Sequence, residues 1–173
     1  MELSVGFPPV ARADARVLIL GSLPGAESLR LRQYYAKSQN RFWWIMGEIV
    51  GARAELPYDA RLERLVQSGI ALWDVCASAE RAGSLDTSIL VASVVPNDFS
   101  AFLDAHGGIK LICLNGGGAE RLFGRLVLPR LPAAQARIPR VRLPSTSPAH
   151  AGMKGDEKLR RWRDALGDLV GGG

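Results

Sequence analysis

Residues suited to binding a ligand are concentrated in four short segments of this sequence. The first is a tight turn with two glycines and a proline, whose backbone amides can approach a ligand closely. A turn of this kind is also a steric requirement of many folds, so alone it identifies no function. It lacks the lysine of a Walker loop and the third glycine of a dinucleotide fingerprint. Its residues are Gly21, Ser22, Leu23, Pro24 and Gly25.

The second segment, residues 33–44, mixes aromatic side chains with amides and cations. That mixture is typical of sites that stack on nucleobases and hold phosphates. Trp43 and Trp44 are explained more simply as core residues. Tyr35 and Asn40 precede the predicted helix and lie in a loop, so we take them as functional candidates.

The third and fourth segments follow later apolar runs. Residues 115–118 are Asn-Gly-Gly-Gly, a run that opens a helix and leaves N–H groups for an anion, although a plain tight turn explains it equally well. Residues 144–150 combine three hydroxyl side chains, two prolines and a histidine, a compact set of phosphate donors. The chain has no Gly-x-Ser-x-Gly elbow, which argues against a serine hydrolase.

Composition excludes several classes of protein. The 173 residues, 47% hydrophobic and 23% charged, predict one folded domain spanning residues 1–173. No apolar run reaches the roughly 18 residues of a membrane span, and the first residues lack a signal-peptide pattern, so we expect a cytoplasmic protein. Two cysteines and two histidines are too few for a disulfide framework, a zinc site or an iron–sulfur cluster, so we expect no metal.

The charge of the chain gives only weak evidence about the class of partner that it binds. The formal net charge is +5, from 22 Lys and Arg against 17 Asp and Glu. This balance favours a polyanionic partner, and an ordinary arginine-rich protein explains it equally well.

Apolar patterns predict the elements that position the four segments. Continuous apolar runs predict four buried strands at Arg16–Leu20, Ile70–Trp73, Ile109–Leu114 and Arg140–Leu143. Helical spacing predicts helices that begin at Phe42, span Asp59–Gln67, include Phe99 to Leu103, and span Ala119–Leu126 and Glu157–Val170. We expect residues 129–139 and 171–173 to be flexible.

Strands that alternate with helices predict a three-layer α/β/α sandwich around a four-stranded, mostly parallel sheet. Ligands in such sheets bind at the carboxyl ends of the strands. The four segments follow the predicted strands, or precede the next helix, so we expect them to meet at that edge.

Together these motifs resemble the uracil-DNA glycosylase superfamily, and most closely its sixth family, the hypoxanthine-DNA (deoxyinosine) glycosylases. The order and spacing of the pieces carry the resemblance more than any one piece. The matching stretches are residues 19–29, Gln33-Tyr34-Tyr35-Ala36, Asn40-Arg41-Phe42-Trp43, residues 69–75, Gly83-Ser84-Leu85-Asp86 and residues 143–149.

The resemblance implies a parallel sheet between helices and a flipped deoxynucleotide whose base enters a pocket at the strand ends. Elsewhere in the superfamily the first motif carries an Asp or Asn that positions the attacking water. Leu23 occupies that place here and cannot do so, which argues against the uracil and mismatch-specific branches. In the hypoxanthine branch the catalytic role falls to the Asn of Asn-x-Phe-Trp, here Asn40.

The resemblance and the chemistry of the residues together predict the other roles. Asp74 is a second base contact, although a helix cap or loop position explains it equally well. No cofactor is implied, and a domain of this size is expected to be a monomer. The expected base contacts are Gly21, Ser22, Leu23, Pro24, Gly25, Tyr35, Phe42, Asp74 and Asn115. The expected contacts to the DNA backbone are Ser145, Ser147, Pro148 and His150.

The sequence therefore predicts a monofunctional glycosylase that removes hypoxanthine from double- or single-stranded DNA in base excision repair. Two alternatives stay open. One is a glycosylase that prefers uracil or xanthine, and the other is a non-catalytic module on the same fold that binds damaged DNA.

Overall fold

A computed structural model describes residues 1–170, which form two β-sheets and a set of flanking helices. The predicted flexible tail, residues 171–173, lies outside the described residues. The strands are β1 Glu2–Val5, β2 Val17–Gly21, β3 Ile70–Asp74, β4 Cys76–Arg81, β5 Val95–Pro96, β6 Leu111–Asn115 and β7 Arg140–Leu143. The helices are α1 Ala26–Leu31, α2 Phe42–Val50, α3 Tyr58–Gln67, α4 Phe99–Ala105, α5 Gly117–Leu122, α6 Ala133–Ala136 and α7 Gly155–Leu166.

The central sheet is parallel, with strand order β3-β2-β6-β7, and it contains the four predicted strands. Every residue of β2 is buried. Because side chains alternate along a strand, Leu18 and Leu20 pack into one apolar cluster, while Val17 and Ile19 pack into another on the opposite face. The predicted three-layer arrangement is confirmed.

Helices cover both faces of this sheet. The apolar residues of α4 and α5 fill the cluster on one face, and those of α2, α3 and α7 fill the cluster on the other. Large aromatic residues anchor each layer: Phe99 and Phe123 on the first face, Phe42 and Trp162 on the second. A core of this size fixes the strand ends, and so fixes the loops that leave them.

A second sheet was not predicted. It is antiparallel with order β1-β4-β5, and β4 follows β3 with only Val75 between them. Its strands are short and partly exposed, so they lack the continuous apolar run that revealed the central sheet. Arg81 of β4 is 3% exposed and donates hydrogen bonds to the carbonyls of Leu23 and Pro24, which fixes the loop after β2.

Several predicted boundaries were wrong by a few residues. The third strand of the central sheet begins at Leu111 rather than Ile109. The last helix ends at Leu166, because Gly167 adopts a φ of 48° and begins a short 3-10 turn. Helix α5 continues into a π-helical turn, Phe123–Val127, and a 3-10 turn, Leu128–Arg130. Helices α1 and α6 were not predicted, and α6 lies within the stretch expected to be flexible.

Within residues 1–170, no helix is both long enough and apolar enough to cross a membrane.

Candidate functional site

A cavity of about 540 Å³ opens at the carboxyl ends of the four parallel strands. The loops that leave β2, β3, β6 and β7 all contribute to its wall, as the position of ligand sites in parallel sheets predicts. The predicted site residues that line it are Gly21, Ser22, Leu23, Pro24, Gly25, Tyr35, Asn40, Asp74, Asn115, Ser145, Ser147, Pro148 and His150.

Tyr35 forms a flat aromatic part of the wall. Its ring stacks on Phe42, with centroids 4.1 Å apart and planes inclined by 24°. The backbone of Tyr35 has a φ of 54°, a left-handed conformation that is strained for a non-glycine residue and persists only where its surroundings enforce it. Such strain is a feature of ligand sites.

The prediction that Phe42 contacts a base directly was wrong. Phe42 is fully buried and is not part of the cavity wall. It packs between Tyr35 on one side and Trp162, which meets it edge-on with centroids 6.3 Å apart. Phe42 therefore supports Tyr35 from behind, because the first residue of α2 points into the core.

Asn40 lies just before Arg41, the N-cap residue of α2, and its side chain bonds to the first residue of the helix. Its side-chain Oδ1 accepts a hydrogen bond of 2.9 Å from the backbone N–H of Phe42. This bond assigns the amide orientation, since only the oxygen can accept. The NH₂ group of Asn40, which has no hydrogen-bond partner among the described residues, remains for a ligand or a water molecule.

Asp74 ends β3 and faces Gly21 at the end of β2. A β-carbon on Gly21 would lie 2.5 Å from Asp74 Oδ1 and 2.9 Å from the Tyr35 hydroxyl, so only glycine fits there. Asp74 is 4% exposed, and within residues 1–170 its Oδ2 has no hydrogen-bond partner. A buried polar atom without a partner at a cavity wall is suited to bind a ligand.

Burial sets the protonation of Asp74. Loss of solvent, together with the smaller effect of the nearby Asp86, raises the pKa of its carboxyl to about 7, although Arg81 opposes the shift. Asp74 can therefore donate or accept a hydrogen bond near neutral pH. Burial also raises the pKa of the Tyr35 phenol, which keeps it neutral.

Asn115, predicted to contact the base or its phosphate, has its amide engaged within the protein. Its Nδ2 donates to the Tyr35 hydroxyl at 3.2 Å and to Thr146 Oγ1 at 3.0 Å, and its Oδ1 accepts from the Thr146 N–H at 3.0 Å. These bonds use both amide hydrogens. In this structure Asn115 joins β6 to Tyr35 and to the loop after β7.

Two side chains of α7 fix the loop of residues 144–150. Trp162 Nε1 donates to the carbonyl of Pro144 at 2.9 Å, and Lys158 Nζ donates to that of His150 at 2.6 Å. The Lys158 ammonium is buried, and desolvation lowers its pKa. Sequence reasoning missed Lys158 because lysine side chains are mostly exposed, and no local pattern marks one that turns inward.

The polar atoms of this loop remain available to a ligand. Ser145 Oγ and Ser147 Oγ each accept a 3.2 Å bond from a backbone N–H two residues later, which leaves each hydroxyl hydrogen available to an acceptor. His150 is exposed at the rim. The loop therefore presents donors in a fixed arrangement.

Asp86 and Ser84 have no role predicted from the sequence. Both belong to the segment after β4, residues 84–88, which lies at the mouth of the cavity. Ser22 Oγ donates a 2.5 Å hydrogen bond to Asp86 Oδ1, and the N–H of Ala26 donates to Ser84 Oγ at 2.9 Å. The family resemblance includes both residues, but their contacts could not be predicted, because the partners lie about 60 positions earlier in the chain.

Comparison with known proteins identifies the family. The model of the uracil DNA glycosylase superfamily matches residues 8–169. The chain belongs to the uracil DNA glycosylase superfamily. The resemblance predicted from the motifs is thereby confirmed.

Among relatives in this superfamily, the chain is 42% identical over 112 residues to the hypoxanthine DNA glycosylase of Methanosarcina barkeri, strain Fusaro. It is 39% identical over 112 residues to the hypoxanthine DNA glycosylase of Methanosarcina acetivorans. Each match spans 64% of this chain and 70% of the relative.

A solved structure supports the fold assignment to the superfamily. The solution NMR structure of a candidate uracil DNA glycosylase from Methanosarcina acetivorans superposes with a TM-score of 0.76 at 32% identity. The match covers 96% of this chain and 100% of the other. The four-stranded parallel sheet between helices is thus shared with a member of the same superfamily.

In the present chain, the loop after β2, residues 21–25, carries no titratable side chain. Leu23 is 6% exposed and its side chain packs into the cluster beneath the cavity. Across residues 1–170, the His, Cys, Asp and Glu side chains form no group of three or more that could hold a metal ion. The polar side chains that line the cavity are amides, hydroxyls, carboxyls, and the cationic or imidazole groups of Lys37, Arg121, Arg142 and His150.

Proposed function

We propose that this protein is a monofunctional DNA glycosylase that flips a deaminated base out of DNA, most readily hypoxanthine, and hydrolyses its N-glycosidic bond. One observation supports this proposal more directly than any other. The cavity at the strand ends joins a flat aromatic wall, Tyr35 on Phe42, to the buried and unpartnered carboxyl oxygen of Asp74. A stacking face with a polar contact at its edge is what a flipped base requires.

The edge of hypoxanthine suits the carboxyl of Asp74. The base presents an N–H donor beside a carbonyl acceptor, and a protonated carboxyl offers an acceptor beside a donor. Because the pKa of Asp74 is raised to about 7, both states of this carboxyl are accessible at neutral pH. Uracil presents the same donor and acceptor, so Asp74 alone does not select between the two bases.

Breaking an N-glycosidic bond places positive charge on the sugar and negative charge on the leaving base. Catalysis then depends on charge stabilisation and on a positioned water molecule rather than on a strong nucleophile. Asn40 is suited to provide both. Its NH₂ group can donate to the leaving base, while Oδ1 can accept a water hydrogen in addition to the Phe42 N–H.

The rim of the cavity is suited to hold the DNA on either side of the flipped base. The hydroxyls of Ser145 and Ser147, with His150, provide donors for phosphate oxygens, and Pro148 restricts the loop that carries them. The net charge of +5 favours such a partner. The substrate is double- or single-stranded DNA, bound by a monomer.

The lysine side chains favour hydrolysis without a Schiff base. Lys37 lines the cavity but is exposed to solvent, whereas lysines that form Schiff bases are desolvated. Lys158 is buried, but it donates to the His150 carbonyl and lies outside the cavity wall. Neither lysine is both desolvated and open to a sugar.

The experiment that tests the proposal is single-turnover cleavage of a labelled duplex with one deoxyinosine, run beside deoxyuridine and deoxyxanthosine. We expect the wild-type protein to release hypoxanthine fastest. Faster release of uracil or xanthine would establish the first alternative. Binding to damaged DNA without release of any base would establish the non-catalytic alternative.

Variants of Asn40 separate catalysis from support of α2. Asn40→Ala removes the amide and also the hydrogen bond to the Phe42 N–H, a loss of about 1 kcal/mol in the free energy of unfolding. Asn40→Ser and Asn40→Asp keep a side-chain oxygen that can accept this bond. We expect all three variants to lose roughly 10²-fold or more of the single-turnover rate while they still bind DNA, and only Asn40→Ala to melt at a lower temperature. Full activity in Asn40→Ser would contradict the catalytic role.

A further inference from the structure

The segment after β4, residues 84–88, places a carboxylate at the mouth of the cavity. Two side chains tie it to the loop after β2: Ser84 Oγ accepts from the N–H of Ala26, and Asp86 Oδ1 accepts from Ser22 Oγ at 2.5 Å. Asp86 Oδ2 faces the first turn of α5, where a β-carbon on Gly118 would lie 2.5 Å from it. Asp86 is thus fixed by Ser22 and lies against the first turn of α5, although its side chain is accessible.

The other acidic groups at this cavity are differently engaged. Asp74 is buried, which disfavours its charged form. Glu27 pairs with Arg30 through hydrogen bonds of 3.2 and 2.5 Å. Among the described residues of the wall, Asp86 is the carboxylate that is accessible to water and has no cationic hydrogen-bond partner.

A negative charge at this position works against binding of DNA. Phosphates of the substrate must approach the mouth of the cavity, and like charges placed together weaken association. The same charge becomes favourable when the sugar of the flipped nucleotide turns cationic. An interaction that is unfavourable in the bound ground state and favourable in the transition state contributes directly to the rate.

On the basis of the proposed function, we infer that Asp86 is a second catalytic residue: it faces the cationic sugar and accepts a proton from the attacking water. The C1′–N bond breaks and its electron pair leaves with the base. The water oxygen bonds to C1′, one water proton passes to Asp86 Oδ2, and that proton later returns to solvent or to the departing base. Ser22 is the positioning residue that holds Oδ1.

The inference is tested with Asp86→Asn, which removes the charge and keeps an acceptor for Ser22. Single-turnover rates and dissociation constants are measured on a duplex that the wild-type protein cleaves. We expect the rate at saturating enzyme to fall by about 10²-fold or more, while DNA binds as tightly as before or more tightly. Asp164→Asn, which neutralises an exposed carboxylate on α7, serves as the matched control and should leave both values unchanged.

Chemical rescue separates catalysis from folding. Asp86→Ala leaves space for a small carboxylate, so added formate should restore part of its rate, whereas formate should not change the rate of the wild-type protein. The inference is overturned if Asp86→Asn keeps the wild-type rate, or if Asp86→Ala is slow, melts well below the wild type and does not respond to formate. Failure of the wild-type protein to release any base would instead overturn the proposed function.

Discussion

Asp74 shows how one side chain acquires an unusual property from its position. Its carboxyl ends a buried strand beside Gly21, so solvent is excluded from it, and Asp86 adds a like charge nearby. In the unfolded chain the same group has the ordinary pKa of 3.8. The difference between the two states makes the stability of the protein depend on pH.

This difference predicts the direction of the pH dependence. Between pH 3.8 and about 7 the folded protein keeps a proton on Asp74 that the unfolded chain releases, so the free energy of unfolding falls as pH rises. From pH 5 to pH 8 the free energy of unfolding of the wild-type protein should fall by about 3 kcal/mol more than that of Asp74→Asn. Urea denaturation of both proteins at the two pH values measures this difference. An equal change in the free energy of unfolding of the two proteins would contradict the prediction.

The chemistry-bearing residues could be predicted from the sequence better than their partners. The types and positions of Tyr35, Asn40 and Asp74 mark them as candidates, and the structure brings them to one cavity. The hydrogen bonds of Asn115 to Thr146 and Tyr35 could not be predicted. Thr146 is 31 positions and Tyr35 is 80 positions from Asn115 in the chain, and contacts over such separations leave no local pattern. The catalytic and binding roles themselves stay predictions.

At the scale of elements, buried strands with continuous apolar runs were predicted and the others were not. Strands β2, β3, β6 and β7 gain their pattern from burial between helix layers. Strand β1 is mostly exposed and carries no such signal. Helix α1 contains good helix formers, but its six residues are too few for a helical period to be recognised.

The contact between the segment of residues 84–88 and α5 makes a specific prediction for Gly118. Alanine favours a helix over glycine by about 1 kcal/mol, so Gly118→Ala should not unfold α5. Its added methyl would lie 2.5 Å from Asp86 Oδ2 and 2.9 Å from Asp86 Cβ, so the whole side chain of Asp86 has to move. Because this overlap offsets the gain in helix propensity, we expect a melting temperature near or slightly below that of the wild type, together with a single-turnover rate lower by about tenfold, if Asp86 acts as inferred.

The control for that substitution is Gly124→Ala. A β-carbon at Gly124 would meet nothing within 4 Å, so the same chemical change carries no overlap. Equal rates for Gly118→Ala and the wild-type protein would contradict the role of this contact. A matching loss in Gly124→Ala would attribute the effect to α5 and its extension rather than to Asp86.

At the scale of the whole molecule, the excess of cationic side chains should govern how the protein finds DNA. Arg142 lies exposed on the edge strand β7 and also lines the cavity, next to the predicted phosphate contacts. Its pairing with Glu120, at 3.4 Å between exposed side chains, is weak and does not neutralise it in water.

DNA affinity should therefore fall steeply with salt, and Arg142→Gln should reduce the slope of log K against log salt by about one unit. Arg64→Gln, which removes an exposed arginine on α3, should leave the slope unchanged. Fluorescence anisotropy on an undamaged duplex at several salt concentrations measures both. An unchanged slope in Arg142→Gln would place the DNA elsewhere on the surface.

The floor and part of the mouth of the cavity come from different sheets: the floor from the ends of the parallel strands, and the mouth from the segment that follows β4 of the second sheet. Strand β3 ends at Asp74, and after Val75 the chain enters β4, which belongs to a different sheet and leads to the segment at the mouth of the cavity. The mouth is thus built by chain whose pairing is independent of the parallel strands. Insertions or exchanges between β4 and β5 leave the register of the parallel strands undisturbed, so the position of Asp86 can change between lineages while the floor of the cavity, with Gly21 and Asp74, stays the same.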